Sequence, residues 1–281
     1  MPVRIVTDSS CDLDAATADE LGIEIVPLSI RFGGEEYTDR VELSVEDFYL
    51  KMAESDALPE TAAPAPGAFE AAFRRQSEAG ADTVICINIS TELSATMQSA
   101  QNAATALKDE LDVRVVDSRS ITTGLGTLVR RAALAAQEGQ DADAIVALLS
   151  DLIERTRVIG VLDTLDNLKK GGRIGGAQAL VGSLLSIKPL VDISTGSVEE
   201  AGKARTRRKA LEWLRDQILA EGDIEDLCIA HAVAPDVDTV FDLLAPHYSR
   251  DDISLHHIGA VIGTHGGRHL VGATWIAPRD K

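Results

Sequence analysis

Asp82-Thr-Val-Ile-Cys-Ile-Asn-Ile89 places apolar β-forming residues on successive positions, so neither face of a strand here is given over to water. A mostly apolar run of this length is the pattern of a strand covered on both faces, as in a parallel sheet. After it, Ser94 opens a helix to about Leu107, and Val113 to Val116 is the next strand. Upstream, Pro64, Pro66 and Gly67 introduce a helix to about Glu78. Val3 to Val6 is a short strand, and Asp12 or Asp14 caps a helix that ends at Gly22. Ile23 to Ile30 reads as a second strand; Pro27 within it predicts an edge position, because proline cannot donate to a ladder. Downstream, Thr123 to Gln137 and Asp141 to Arg155 read as two helices. Strand alternating with helix predicts a parallel sheet wrapped by helices, with loops gathered at the strand C-termini.

From Arg157 the pattern changes. Val158 to Leu162 is apolar, and Thr164 to Lys170 is a short helix closed by Gly171-Gly172. Ala177 to Leu185 reads as helix, Ile187 to Ile193 as strand, and Arg207 to Glu221 as an amphipathic helix ended by Gly222. Asp226 to Ala230, Ile253 to Ile258 and Leu270 to Trp275 read as strands around a helix from Pro235 to about Leu244. The sequence therefore predicts an α/β protein of two domains. Residues 1–156 form a parallel sheet flanked by helices, and residues 157–281 form an α/β domain with a mixed sheet.

The bulk composition narrows the function classes. At 281 residues the chain can bury a proper core, and 45% hydrophobic with 26% charged residues is ordinary for a soluble protein. A net charge of −18 and only 4% aromatics argue against nucleic acid as partner, since phosphates are repelled and stacking platforms are scarce. Cys11, Cys86 and Cys228 are few, odd in number and without CxxC spacing, as in a reducing compartment. No signal peptide and no run of about 18 apolar residues is present, so a cytoplasmic location is expected.

The familiar catalytic signatures are missing. Gly124-Leu-Gly126 has no third glycine at Val129, no GxxxxGK[ST] or GxSxG occurs, and no histidine or cysteine set has zinc spacing. What remains are small polar groups at the mouths of apolar elements. Val261-Ile-Gly-Thr-His-Gly-Gly267 sets His265 and Thr264 among small residues; Pro59-Glu-Thr61 holds Thr61 in a proline-rich turn; Ile89-Ser-Thr-Glu-Leu-Ser94 offers Ser94. Asp8-Ser9-Ser10 follows the first strand, where Ser9 either caps a helix or faces a ligand. Hydroxyls at a helix N-terminus also suit an anion, so the two roles of Ser94 are compatible. Two cationic groups break the acidic background: Lys169, Lys170 and Arg173 around Gly171-Gly172, and Lys203, Arg205, Arg207, Arg208 and Lys209. They read as solvated helix ends or as contacts for a phosphate or acidic partner.

These motifs, taken together, resemble the DegV family of bacterial fatty-acid-binding proteins over essentially the whole chain. The matching residues are Thr7-Asp-Ser-Ser10, Thr61 with Pro64, Ile89 to Ala100, Val116-Asp-Ser118, Asp163 to Ile174, Gly182 to Pro189, and Ile262-Gly-Thr-His265. The resemblance implies a long-chain fatty acid buried between two domains and no other cofactor. It implies that Thr61 and Ser94 hold the carboxyl group, with His265 and Arg173 completing the polar end or facing the partner. It also implies a non-catalytic carrier. Such a carrier presents its fatty acid to a separate fatty acid kinase, whose acyl phosphate goes on to phospholipid synthesis with transient membrane or acyltransferase contact. Ala62, Ala63 and Ala95 depart from the family's pattern, as does Gly266-Gly-Arg-His269, where Arg268 or His269 could compensate. Two other readings compete: an enzyme on a small carboxylate or phosphate, with His265 as acid/base and Asp8 or Asp117 assisting, and a regulatory module that senses acyl ligands.

Overall fold

The computed structural model describes residues 2–55, 57–180 and 187–279. The chain opens with β1 (Val3–Asp8), a 3₁₀ turn at Ser9–Cys11, α1 (Ala15–Leu21) and β2 (Glu24–Val26). Next come β3 (Ser29–Phe32), β4 (Glu35–Thr38), α2 (Val45–Glu54) and β5 (Glu60–Ala62). Helix and strand then alternate through α3 (Pro66–Glu78), β6 (Thr83–Asn88), α4 (Thr96–Ala106) and β7 (Asp112–Asp117). The helix pair α5 (Thr122–Gln137) and α6 (Ala142–Arg155) leads to β8 (Thr156–Val161), α7 (Asp166–Lys170) and a 3₁₀ segment at Gly175–Leu180. The remainder runs β9 (Lys188–Asp192), β10 (Glu199–Ala204), α8 (Arg207–Ala220), β11 (Glu225–His231), α9 (Val237–Leu244), β12 (Ser254–His257), α10 (Ala260–Gly266) and β13 (Val271–Ile276).

These strands build three sheets. The first, in order β2-β1-β6-β7, is parallel throughout, with Ile5 of β1 and Arg114 of β7 flanking Ile85. Every residue of β6 is buried, as its apolar run predicts. The second sheet, β10-β9-β8-β13-β11-β12, is mixed: β11 pairs parallel with β12, and its other pairings are antiparallel. A small antiparallel sheet, β4-β3-β5, stands apart. An apolar cluster drawing on β1, β6, α5, β8 and α10 fills the space between the larger sheets.

Local chemistry explains the element ends. Asp14 caps α1 through the Thr17 amide, and Asp141 caps α6 through Ala144. Of the strand expected over Ile23–Ile30, Pro27 splits two pieces: β2 at the parallel sheet's edge, and β3 in another sheet. The helix expected from Pro235 begins at Val237. Of the helix expected over Ala177–Leu185, residues 177–180 are 3₁₀, while 181–185 lie outside the described residues. All three cysteines are free and buried, and burial pushes the Cys11 thiol up to about 12.

Because Ile85 is fully buried at the centre of the parallel sheet, Ile85→Ala is expected to cost about 2–5 kcal/mol of stability. Urea unfolding should show this as a lower midpoint at unchanged slope.

Candidate functional site

The run that sets His265 and Thr264 among small residues is helical, α10 spanning Ala260 to Gly266. Its glycines let it sit against its neighbours. A methyl group at Gly263 would run into the Tyr49 hydroxyl and the Phe48 ring of α2, and one at Gly266 into Leu270. Gly267, at φ +80, ends the helix in a conformation that favours glycine. His265 thus projects from the last turn of a helix packed against α2, α7 and β5.

Thr61 also sits in regular structure. It belongs to β5, opposite Ile30 of β3, and this pairing fixes a residue that the sequence places only in a proline-rich loop. Its Oγ1 lies 2.9 Å from His265 Nε2, joining two points 204 residues apart. His265 Nδ1 is buried without a hydrogen-bond partner among the described residues, against Gly171, where a methyl group would collide with the ring. Gly171 accepts from Arg173 Nη1 at 2.6 Å, and Arg173 Nε donates to the Leu93 carbonyl at 3.1 Å. Next to Leu93, the Ser94 hydroxyl shares a 2.9 Å hydrogen bond with Thr96 Oγ1 and accepts weakly from the Thr96 amide at the start of α4. Thr61, His265, Arg173 and Ser94 are therefore consecutive members of one contact chain.

These four line the same cavity. It holds about 880 Å³ of empty space, open mouth included. Beyond the polar end its wall is overwhelmingly apolar, drawing on Ile89, Leu93, Ile121, Val158, Leu168 and Ile262 among others. Gly160 of β8 lies directly opposite Gly272 of β13, and both line the cavity, so the sheet presents no side chain at that point. Thr122 and Thr274 also reach the wall, but their hydroxyls are engaged by Asp12 and Thr123.

The electrostatics of the polar end favour an anion. Burial first, then the Arg173 charge, lower His265 to about 4, so the imidazole is neutral near pH 7. Among the described residues Arg173 has no carboxylate at ion-pair distance; its bonds go to two carbonyls. A guanidinium beside a neutral imidazole and two hydroxyls offers donors and positive charge without a counter-ion.

Ser9 and Thr264 stand apart from this group. Ser9 Oγ accepts from the Leu28 amide, and Thr264 Oγ1 donates to the Ala260 carbonyl one turn back; neither lines the cavity. Asp8 accepts from Ser10, Asn88 and the Ile89 amide, while Asp117 accepts from Thr91 and the Arg119 amide. Neither carboxylate bonds to His265, which leaves the acid/base reading without its assisting group. Ala95 adopts φ −78, ψ 7, a conformation open to any residue, so it adds no strain in place of glycine. Ala62, Ala63, Arg268 and His269 are not among the lining residues; His269 instead bonds to Asp163 at 3.1 Å. Of the second cationic group, Arg207 pairs with Asp236 and Arg208 with Glu212. Gly182 to Ser186 lie outside the described residues. Sequence reading missed Gly171 as the seat of His265, because its only signal, a Gly-Gly pair after lysines, reads as a helix end.

An apolar cavity against the mixed sheet, with one hydroxyl, imidazole and guanidinium end, makes an architecture suited to enclosing a small, mostly apolar molecule. The comparisons with known proteins agree on its family. A family model described as "uncharacterised protein, DegV family" matches residues 2–278, and the chain belongs to the DegV family. It is 36% identical over 277 residues to a DegV domain-containing protein of Halalkalibacterium halodurans, covering 97% of this chain and 98% of that one. A DegV family protein from Thermus thermophilus, described as fatty-acid-binding, is 34% identical, with a TM-score of 0.89 over 99% of this chain and all of the other. DegV of Bacillus subtilis, described as a fatty acid binding protein, is 28% identical, with a TM-score of 0.86 over 99% of this chain and 100% of that one. Among the described residues no helix is long and apolar enough to cross a membrane, and no cluster of histidine, cysteine or acidic groups could hold a metal ion.

Because His265 resists protonation in the folded state, the unfolded chain takes up its proton first as pH falls from the ordinary 6.5 toward 4. Stability is therefore full above that window and declines through it, by up to about 3 kcal/mol. His265→Gln should flatten that part of the stability–pH curve, measured by urea unfolding between pH 4 and 7.

Proposed function

We propose that this protein binds one long-chain fatty acid in the cavity. Thr61, Ser94, Arg173 and His265 receive the carboxylate, and the apolar wall receives the chain. The observation that carries this reading is the 2.9 Å contact between Thr61 and His265 at the one polar end of an otherwise apolar cavity. The relatives described as fatty-acid-binding support it. Burying about a dozen methylenes contributes on the order of 10 kcal/mol before ordering costs. The carboxylate keeps that gain only if its charge is met, which the guanidinium and hydroxyls do.

In this reading the chain divides near residue 156, the parallel sheet before it and the mixed sheet after it, with the acid between. The protein is a non-catalytic, cytoplasmic carrier. It presents the bound carboxylate to a separate fatty acid kinase, and the acyl phosphate feeds phospholipid synthesis after transient contact with a membrane or an acyltransferase. A depressed imidazole without a carboxylate partner supports carriage over acid/base chemistry, since a general base works best with its pKa near the operating pH.

Native mass spectrometry of purified protein should reveal a ligand of long-chain fatty acid mass, released on denaturation. Protein that is empty and also refuses added fatty acid would overturn the reading. Thr61→Ala with Ser94→Ala should weaken fatty-acid binding on the order of a hundredfold, because two hydrogen bonds to a charged group are lost. A bound carboxylate should also raise the His265 titration midpoint by one unit or more in an NMR titration. Acyl phosphate formed only with both carrier and kinase present would separate presentation from mere sensing.

A further inference from the structure

Asp12 is 7% exposed and stands outside the polar end of the cavity, yet it joins two parts of the wall. One carboxyl oxygen pairs with Thr122 Oγ1 at 2.6 Å, and the other accepts from the Gly259 amide at 3.0 Å. Thr122 lines the cavity, and Gly259 is the N-cap of α10, which supplies Val261, Ile262 and His265 to the same wall. A methyl group at Gly259 would run into the carboxyl group, so contact of this closeness requires glycine there. The backbone is strained on both sides of the link: Asp12 has φ 51 and the β-branched Thr122 φ 46. Strain of this kind persists only where the surroundings over-determine it, and it gathers at functional sites.

We propose that Asp12 is a positioning residue of the acyl site, holding Thr122 and α10 in the closed arrangement when neutral and loosening α10 when ionised. The proposal rests on the fatty-acid reading above and adds to it a control on release. Thr122 and the Gly259 amide both donate to the carboxyl group, which when neutral keeps both contacts without a buried charge. Ionised, it is a buried charge whose burial cost opening would relieve. Arg40 beside it favours the charge; Asp39 opposes it, as would ionised Cys11 or Tyr49. Asp14, Arg130 and His256 line the neighbouring cavity that Asp12 also borders. Burial, opposed by Thr122, Arg40 and Gly259, leaves the Asp12 carboxyl raised to about 7. An opened, hydrated Asp12 would ionise near 3.8, so below pH 7 opening releases the carboxyl proton and becomes more favourable as pH rises, levelling off once the closed form is itself ionised.

The test is hydrogen exchange at the Gly259 amide of the whole protein, corrected for intrinsic rates, together with the release rate of a bound fluorescent fatty acid. From pH 6 to 8 the wild type should lose about tenfold in protection and release the acid up to tenfold faster. Asp12→Asn, which keeps an acceptor for Gly259 and a donor for Thr122 without the charge, should stay protected and release slowly at both pH values. A variant that keeps the wild-type pH slope would assign it to another group, such as Asp39, and overturn the proposal. So would flat protection in the wild type. Exchange needs no ligand, so it decides the role of Asp12 even if the protein takes up no fatty acid. Should Asp12→Asn fail to fold, the carboxyl carbon resonance of wild-type Asp12 must titrate with the midpoint of the protection loss; a midpoint outside pH 6–8 overturns the proposal.

Discussion

An apolar cavity inside a folded chain forfeits dispersion contacts along its walls, so the structure must resist its own collapse. Long-range polar ties supply that resistance. Residues before 156 reach residues after it through Tyr49 to the Ile258 carbonyl, Asp12 to Gly259, Ser90 to the Gly196 carbonyl, Thr123 to Thr274, and Thr61 to His265. Each is directional, unlike hydrophobic contact, and together they set a spacing between the two larger sheets. The facing glycines of β8 and β13 serve the same end, keeping the wall free of side chains where the sheet would otherwise fill the gap.

Charge is distributed with equal economy. The chain is strongly acidic overall, yet the polar end of the cavity holds a cation and two groups able to donate hydrogen bonds. His265 stays neutral because it is desolvated beside Arg173, so the site carries one net positive charge instead of two. A second buried cation would cost more than one carboxylate could return.

How much of this was legible in the sequence depends on whether the signal was local. The apolar run of β6, the helices α5 and α6 and the caps at Asp14 and Asp141 rest on near neighbours, and reading the chain locates them within a residue or two. The β4-β3-β5 sheet escaped because β4 begins with the polar, exposed Glu35-Glu36, and Thr61 of β5, the partner of Ile30 in β3, lies in a proline-rich stretch. β10, an edge strand beginning Glu199-Glu200, fails the alternation test for the same reason. α2 was within reach: the Ser44 hydroxyl accepts from the Asp47 amide as an N-cap and donates to the Asp47 carboxylate. The family resemblance named the four residues of the polar end, but their meeting depends on contacts spanning up to 204 residues, which no local pattern encodes.

The buried thiols carry one more consequence. Thiolate, not thiol, is the form that oxidants and electrophiles attack, and burial raises all three cysteines away from it. Acyl chains are a source of peroxides and reactive aldehydes, so any protein that encloses them works next to agents that modify cysteine. On the fatty-acid reading proposed above, the three cysteines, protonated and buried, are shielded from the damage an oxidisable acyl chain can generate.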